Sequence, residues 1–269
     1  MTSFVNKKLA NMIEKSEIDA LTSRLSAIQK LSGNPMKVEI ETFGNATAFS
    51  VKNIPGPSYN TVKGLEACDE PFLKQIIEFY KQKDIPVRFE LTPANTSPEL
   101  FTSLHQSGYY QVDFHTSLYK EIDNEMEKGD NSTISIQELR EQEFDIFADV
   151  YTQGFHMPAF LKNSIAQNNQ ILYNSESWTF YLASINNEPA GIGVLFKQNN
   201  VANLAAAATL PAYRNKGIQS ALIGMRIHQA FMENCKLITG QAKFGSVSQN
   251  NMERAGMRIA YTKAIWEKR

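Results

Sequence analysis

The stretch Leu210-Pro211-Ala212-Tyr213-Arg214-Asn215-Lys216-Gly217-Ile218-Gln219-Ser220-Ala221-Leu222 decides how this chain is read. An apolar run, Val201 to Ala208, comes before it, and a helical pattern with Ile218, Leu222, Met225 and Met232 on one face comes after it. A strand thus feeds a short basic turn bearing a glycine, and the turn opens a helix. The first N–H groups of a helix have no partner within it, and the helix dipole adds partial positive charge at the same end. Arg214 and Lys216 add full charges, which makes the turn a candidate diphosphate cradle. The plainer reading is a glycine-started helix with a solvated basic first turn.

The surroundings favour the cradle. Ser132 to Arg140 alternates as a strand does, and Glu141 to Gly154 carries Phe144, Phe147, Ala148 and Tyr151 at helical spacing. Pro158 to Asn168 reads as a second short helix. Trp178 to Ile185 and Ala190 to Lys197 read as strands joined by the polar turn Asn186-Asn187-Glu188-Pro189. Beyond the helix from Gly217 to about Met232 come a strand at Lys236 to Lys243, a helix at Ser246 to Met257 stopped by Gly256, and a last strand at Ile259 to Trp266.

The turn Arg214-Asn215-Lys216-Gly217, the stretch Ser246-Val247-Ser248-Gln249-Asn250-Asn251-Met252-Glu253-Arg254-Ala255-Gly256 and the order β-α-α-β-β-β-α-β-α-β together resemble the GCN5-related N-acetyltransferase (GNAT) family over about residues 132–269. The resemblance implies an α/β fold with a mixed sheet, acetyl-coenzyme A as co-substrate, and transfer of its acetyl group to an amine by direct attack. It places Ala207, Ala208 and Thr209 as backbone contacts for the acyl arm. It places Arg214, Asn215, Lys216, Gly217, Ile218, Gln219 and Ser220 on the diphosphate, with Ser248 and Asn251 also touching the coenzyme. The family prefers Gly or Ala where this chain has Gln219, and many members carry a tyrosine where it has Met252.

A polar, acidic stretch from Glu121 to Asn131 reads as a linker, giving domains 1–122 and 132–269. The first half begins with an amphipathic helix, Asn6 to Leu31, striped by Leu9, Met12, Ile13, Leu21, Leu25, Ile28 and Leu31, followed by a hairpin at Lys37 to Val51 turning near Gly44-Asn45. A helix at Glu70 to Lys83, a strand at Ile85 to Leu91, a helix opened by Ser97-Pro98 and closed at Gly108, and a strand at Tyr109 to Lys120 repeat the order of the second half. The expectation is a degenerate GNAT-like unit, two such units standing in tandem. Asp69-Glu70-Pro71 puts negative charge where a phosphate would sit, so coenzyme is expected only in the second half. An unrelated α+β domain is the alternative for residues 1–120.

Composition sets the remaining bounds. Lysine plus arginine total 27 against 28 acidic residues, a formal net charge of -1, without the basic bias of a nucleic-acid binder. No apolar run is long enough for a membrane span, and the start of the chain lacks the charged head and apolar core of a secretory signal, so a cytoplasmic protein is expected. The two cysteines, Cys68 and Cys235, give neither a disulfide framework nor metal-ligand spacing. The partner to expect is a small-molecule or protein amine.

Amine attack on a thioester needs a neutral amine, a donor for the developing oxyanion and a proton for the leaving thiolate. In the family the resemblance points to, a backbone N–H of the strand ending at Thr209 is the donor. His156, in the loop between the first two helices, is a candidate base, because histidine titrates near neutrality. Tyr213 and Tyr261 are candidate proton donors. With Met252 in place of a tyrosine and no carboxylate on Val201 to Thr209, a non-catalytic acyl-coenzyme A-binding or regulatory protein is the alternative to an enzyme.

Overall fold

The computed structural model describes residues 4–54, 56–122 and 133–268. Most of the expected linker, from residue 123 onward, lies outside them. The chain forms two compact units. The first takes Met1–Ser117, Ala242–Phe244 and Ile259–Arg269, and the second takes Leu118–Gln241 and Gly245–Arg258. The division expected from sequence cuts the chain once, whereas these units interleave it.

In the first unit, α1 (Lys7–Gln29) starts at Asn6, whose side chain accepts the N–H of Leu9. Strands β1 (Val38–Phe43) and β2 (Ala46–Val51) form the expected hairpin, with Phe43 opposite Ala46 and Gly44 at φ +63°. A three-residue strand, β3 (Thr61–Lys63), was not foreseen. The expected helix at Glu70 opens instead as a 3-10 turn over Ala67–Phe72, with Pro71 inside it, before α2 (Leu73–Lys81) begins. The Tyr80 hydroxyl on α2 is 2.7 Å from the Phe49 carbonyl and 3.0 Å from that of Thr61, which fixes the helix over β2 and β3. Then follow β4 (Arg88–Leu91), parallel to β3, the Ser97-capped helix α3 (Pro98–Gln106) and β5 (Tyr109–Glu121). The last strand of the chain, β11 (Arg258–Lys268), pairs antiparallel with β4, Ala264 facing Leu91.

The second unit holds β6 (Ile134–Glu138), α4 (Phe144–Gly154), α5 (Lys162–Gln170), β7 (Trp178–Ile185), β8 (Glu188–Gln198), β9 (Val201–Thr209), α6 (Ile218–Met232), β10 (Leu237–Lys243) and α7 (Val247–Arg254). Its strands run in the order β10-β9-β8-β7-β6, antiparallel except for the β9–β10 pair. Leu195, Leu204, Leu222, Ile223, Ile227 and Ile238 share its core, and so do Leu118 and Ile122 from the end of β5. The Ile122 N–H donates to the Lys236 carbonyl. The first unit therefore takes in nearly all of the last strand, β11, while the second takes only the end of β5. The stripe expected on α6 shifts: Met232 is 59% exposed, and the buried face runs Ile218, Leu222, Ile223, Arg226, Ile227 and Ala230. Among the described residues no helix is long and apolar enough to cross a membrane, and no group of His, Cys, Asp and Glu is arranged to hold a metal.

The first unit buries a charge cluster that the sequence reading did not foresee. Lys263 of β11 lies 2.6 Å from Glu17 on α1 and 2.7 Å from Glu90 on β4, and Lys63 of β3 lies 2.5 Å from Glu90. Glu17 also accepts from Ser117. The buried face of α1 carries Glu14 and Glu17 among its apolar residues, while Met12, expected inside, is 40% exposed. Burial alone would push Glu90 up, but the Lys263 and Lys63 ammonium groups reverse this and hold it well below the usual carboxylate range. The neighbouring His115 is pushed down to about 4, by burial first and then by Lys263.

Two predictions follow from the cluster. Lys263→Met leaves Glu17 and Glu90 with less compensating charge, so denaturant unfolding of the full chain should show a loss of about 3–5 kcal/mol. A loss under about 1 kcal/mol would mean that the cluster is solvated. For His115 the folded pKa lies below the unfolded value of ~6.5, so the unfolded chain binds more protons between the two. Its contribution to stability therefore falls as pH drops from about 6.5 to about 4. His115→Gln should flatten that limb of the stability profile.

Candidate active site

Strand β9 organises the site. Its ladder to β8 shifts register between Val194 and Leu195, which face Ala206 and Leu204, so Ala205 is left over as a bulge and is exposed. The parallel ladder to β10 runs only from Val201–Leu204 against Leu237–Gly240. A buried latch closes its last rungs: the Asn203 amide donates to the Thr239 hydroxyl at 3.1 Å, and that hydroxyl reaches the Ala202 carbonyl at 3.2 Å. Beyond Leu204 the ladder ends, and among the described residues no strand pairs with the β10-side backbone of Ala205 to Thr209.

The direction of these backbone groups follows from pairing. The Leu210 N–H donates to the Ala190 carbonyl on the β8 side. Successive residues of a strand alternate sides, so Ala208 and Ala206 face β8 while Ala207 and Thr209 face away. Small side chains suit this position. A Cβ on Gly154, at the end of α4, would lie 2.7 Å from the Ala208 Cβ and 3.4 Å from the Thr209 N, so α4 closes on β9 at van der Waals distance.

After β9 the chain turns through Pro211–Tyr213 into the basic segment. Asn215 and Gly217 both have positive φ, at +62° and +83°. Gly217 is the N-cap of α6 and gives it no side-chain cap, so the first-turn N–H groups remain open to a ligand. Arg214, Asn215, Lys216, Gly217 and Ser220 are exposed around this opening, whereas Ile218 is buried in the core and contributes only backbone. Gln219 does not project into the opening: its Nε2 donates to the Thr209 hydroxyl at 3.1 Å, tying the first turn of α6 to the end of β9. Lys216 stands with its ammonium 5.0 Å from the Tyr213 ring centroid.

The candidate acid–base residues separate. An Arg214 guanidinium nitrogen lies 3.2 Å from the Gly154 carbonyl and 3.1 Å from His156 Nε2, so His156, at φ +55°, sits against the basic turn. The Tyr213 hydroxyl donates to Glu188 at 2.5 Å, and this bond raises its pKa and holds its proton. Tyr261 belongs to the first unit, where burial, and then Glu17, raise its phenol. Ser248 is exposed on α7, and the Asn251 side chain accepts from Arg254. Met252 is a core residue: a Cβ on Gly240 would lie 3.0 Å from its sulfur. The sequence reading missed the bulge at Ala205, the close glycine at 154 and the buried Arg226. The run Ala205–Ala208, a poor strand former, was the available signal for the first of these.

The comparisons agree with this geometry. Residues 137–256 match the family model described as "Acetyltransferase (GNAT) family". No curated protein matches the chain. Among solved structures, a GCN5-related N-acetyltransferase from Kribbella flavida is 14% identical, with 91% of this chain and 95% of that chain covered and a TM-score of 0.66. A tandem GNAT protein from the clavulanic acid biosynthesis pathway is 10% identical, at 90% and 86% coverage and a TM-score of 0.64. A GCN5-related N-acetyltransferase from Sphaerobacter thermophilus is 11% identical, at 83% and 80% coverage and a TM-score of 0.61. At these identities the likeness is one of fold.

Because Met252 packs in the core, Met252→Ala should remove about 2–5 kcal/mol of stability through the void it leaves. Turnover at a temperature where the variant is folded should stay within about tenfold of the parent, or about 1.4 kcal/mol in the barrier. A larger kinetic loss in folded protein would assign Met252 a part in the reaction.

Proposed function

Because residues 137–256 match the GNAT acetyltransferase family model, we propose that the protein transfers an acetyl group from acetyl-coenzyme A to an amine. The observation that carries the reading is the pairing of an uncapped, basic helix start at Arg214–Ser220 with a strand whose next residues, Ala207 to Thr209, lack a partner on one side. The helix start suits a diphosphate, and the open strand edge suits the amide-bearing arm that links the diphosphate to the thioester. The Ala207 N–H then meets the thioester carbonyl, where an oxyanion develops as the amine attacks and the thiolate leaves. We further propose that residues 1–122 are a degenerate GNAT-like copy and bind no coenzyme. Their repeat of a parallel pair across a helix (β3, α2, β4) supports this, and so does the carboxylate of Asp69 at the helix start.

His156 remains the proposed base. A diphosphate that draws Arg214 toward itself frees the Nε2 of His156 for an incoming amine. His156→Ala should then lower kcat by about a hundredfold with little change in the KM for acetyl-coenzyme A. If His156 instead only steadies Arg214, KM will rise and kcat will hold.

Calorimetry with acetyl-coenzyme A should give one site per chain, and Gly217→Asp should weaken binding by an order of magnitude or more, because it sets a carboxylate where the diphosphate lies. Two sites, or unchanged affinity in the variant, would defeat the assignment. Thiol release across a panel of amines then separates an enzyme from a protein that binds the coenzyme without turning it over.

A further inference from the structure

Arg226 lies on the buried face of α6 and is 1% exposed. Its Nε donates to the Leu222 carbonyl at 3.0 Å, and one terminal nitrogen reaches the Ala206 carbonyl at 3.0 Å and the Val194 carbonyl at 3.3 Å. Burial pushes the group down to about 10, the pull of the nearby Tyr181 oxygen opposing it, so it stays charged at neutral pH with its hydrogen bonds on carbonyl oxygens. A buried charge is expensive to desolvate, and a leucine would continue the apolar stripe of α6 without that cost. What the arginine adds is its fork of donors, and the fork acts at one place. Val194 and Ala206 face each other across β8 and β9, immediately beside the register shift that leaves out Ala205. Gly193, opposite Ala207, makes room for it: a Cβ there would stand 3.2 Å from the Arg226 Nε and 3.4 Å from its Cζ.

The consequence lies on the other side of the same peptide. The carbonyl of Ala206 and the N–H of Ala207 belong to one planar trans unit and point in opposite directions. Held by Arg226 between β8 and β9, the Ala206 carbonyl directs the Ala207 N–H away from β8, toward the side where the ladder to β10 has ended. We infer that Arg226 is a positioning residue that locks the Ala206–Ala207 peptide so that the Ala207 N–H donates to the acyl carbonyl of the bound thioester. This rests on the proposed acyl-coenzyme A reading and goes beyond it, since it gives the reaction a residue farther along the helix that the diphosphate turn opens.

The test uses the full chain with Arg226→Met, Arg226→Lys and Gly193→Ala, measuring thermal unfolding, CoA and acetyl-coenzyme A affinity, and steady-state kinetics with whichever amine the panel yields. Arg226→Met removes the donors while keeping an unbranched side chain. It should lower kcat by about a hundredfold, the usual effect of losing an oxyanion donor, while CoA affinity stays within about threefold. Arg226→Lys, which retains one donor, should recover part of that loss. In the parent, acetyl-coenzyme A should shift the Ala207 amide resonance more than CoA does, and Arg226→Met should abolish the difference. If Arg226→Met does not fold, Arg226→Lys and Gly193→Ala carry the test, and both should show a partial fall in kcat without a fall in CoA affinity. Parental kcat in folded Arg226→Met, or in both of those variants, overturns the proposal. A parent chain that binds neither CoA nor acetyl-coenzyme A defeats the functional reading instead, which affinity reports before any variant is made.

Discussion

Two neighbouring parallel strands in this fold stay paired for four residues and then separate, and the site depends on that separation. Parallel sheets ordinarily bury both faces and keep their ladders intact. Here the ladder of β9 and β10 stops at Leu204 and Gly240, leaving N–H and C=O groups in the interior of a sheet rather than at its rim. Such groups must find partners, and an unmet buried one costs about 1–3 kcal/mol. Three devices keep the strands apart without letting the sheet unravel. The Asn203–Thr239 latch closes the paired part, the leftover Ala205 turns the strand, and Arg226 takes up the carbonyl beside the bulge. In the proposed reading a ligand with its own amides would satisfy the remainder.

The two units solve the burial of charge in different ways. Around Lys263 the first unit gathers opposite charges, so that each ammonium has a carboxylate within 3 Å and Glu90 stays ionised although buried. In the second unit the donors of Arg226 meet main-chain carbonyls. The first arrangement ties distant parts of the chain together, since Glu17, Lys63, Glu90 and Lys263 come from α1, β3, β4 and β11. The second fixes one peptide. A cluster of paired charges serves assembly, and a solitary guanidinium on carbonyls serves local geometry.

The strand, basic turn and helix from Val201 to Met232 were legible because three independent signals coincide there: an apolar run, a glycine that takes φ +83°, and 3.6-residue periodicity. The Gly44-Asn45 hairpin and the Ser97-Pro98 helix start were legible for the same reason, as local chemistry dictates both. What escaped is set by contacts distant in sequence. Three residues of β3 are too few to show a period. Glu14 and Glu17 interrupt the stripe of α1 because Lys263, Lys63 and the Gly64 N–H wait for them from elsewhere in the chain. Arg226 looks like an exposed charge until the bulged strand beneath it is known. That β11 joins the first unit is invisible to any local pattern, because its apolar alternation would suit either half.

The contrast between the two helix starts carries the functional argument further. In each unit a strand, a helix and a second, parallel strand follow one another, so each offers backbone N–H groups at the head of a helix. At the first, Asp69 accepts from the N–H groups of Asn45 and Glu66, both at 3.0 Å, and Gly44 stands close enough that any Cβ there would meet its carboxylate. The Asp69 carboxylate thus sets a fixed negative charge at that helix start, which opposes a phosphate there. At the second, no side chain caps the helix, Gln219 is drawn aside by Thr209, and Arg214 and Lys216 raise the local potential. The backbone supplies the same opportunity twice, and under the proposed function the side chains leave only the second helix start open to a ligand.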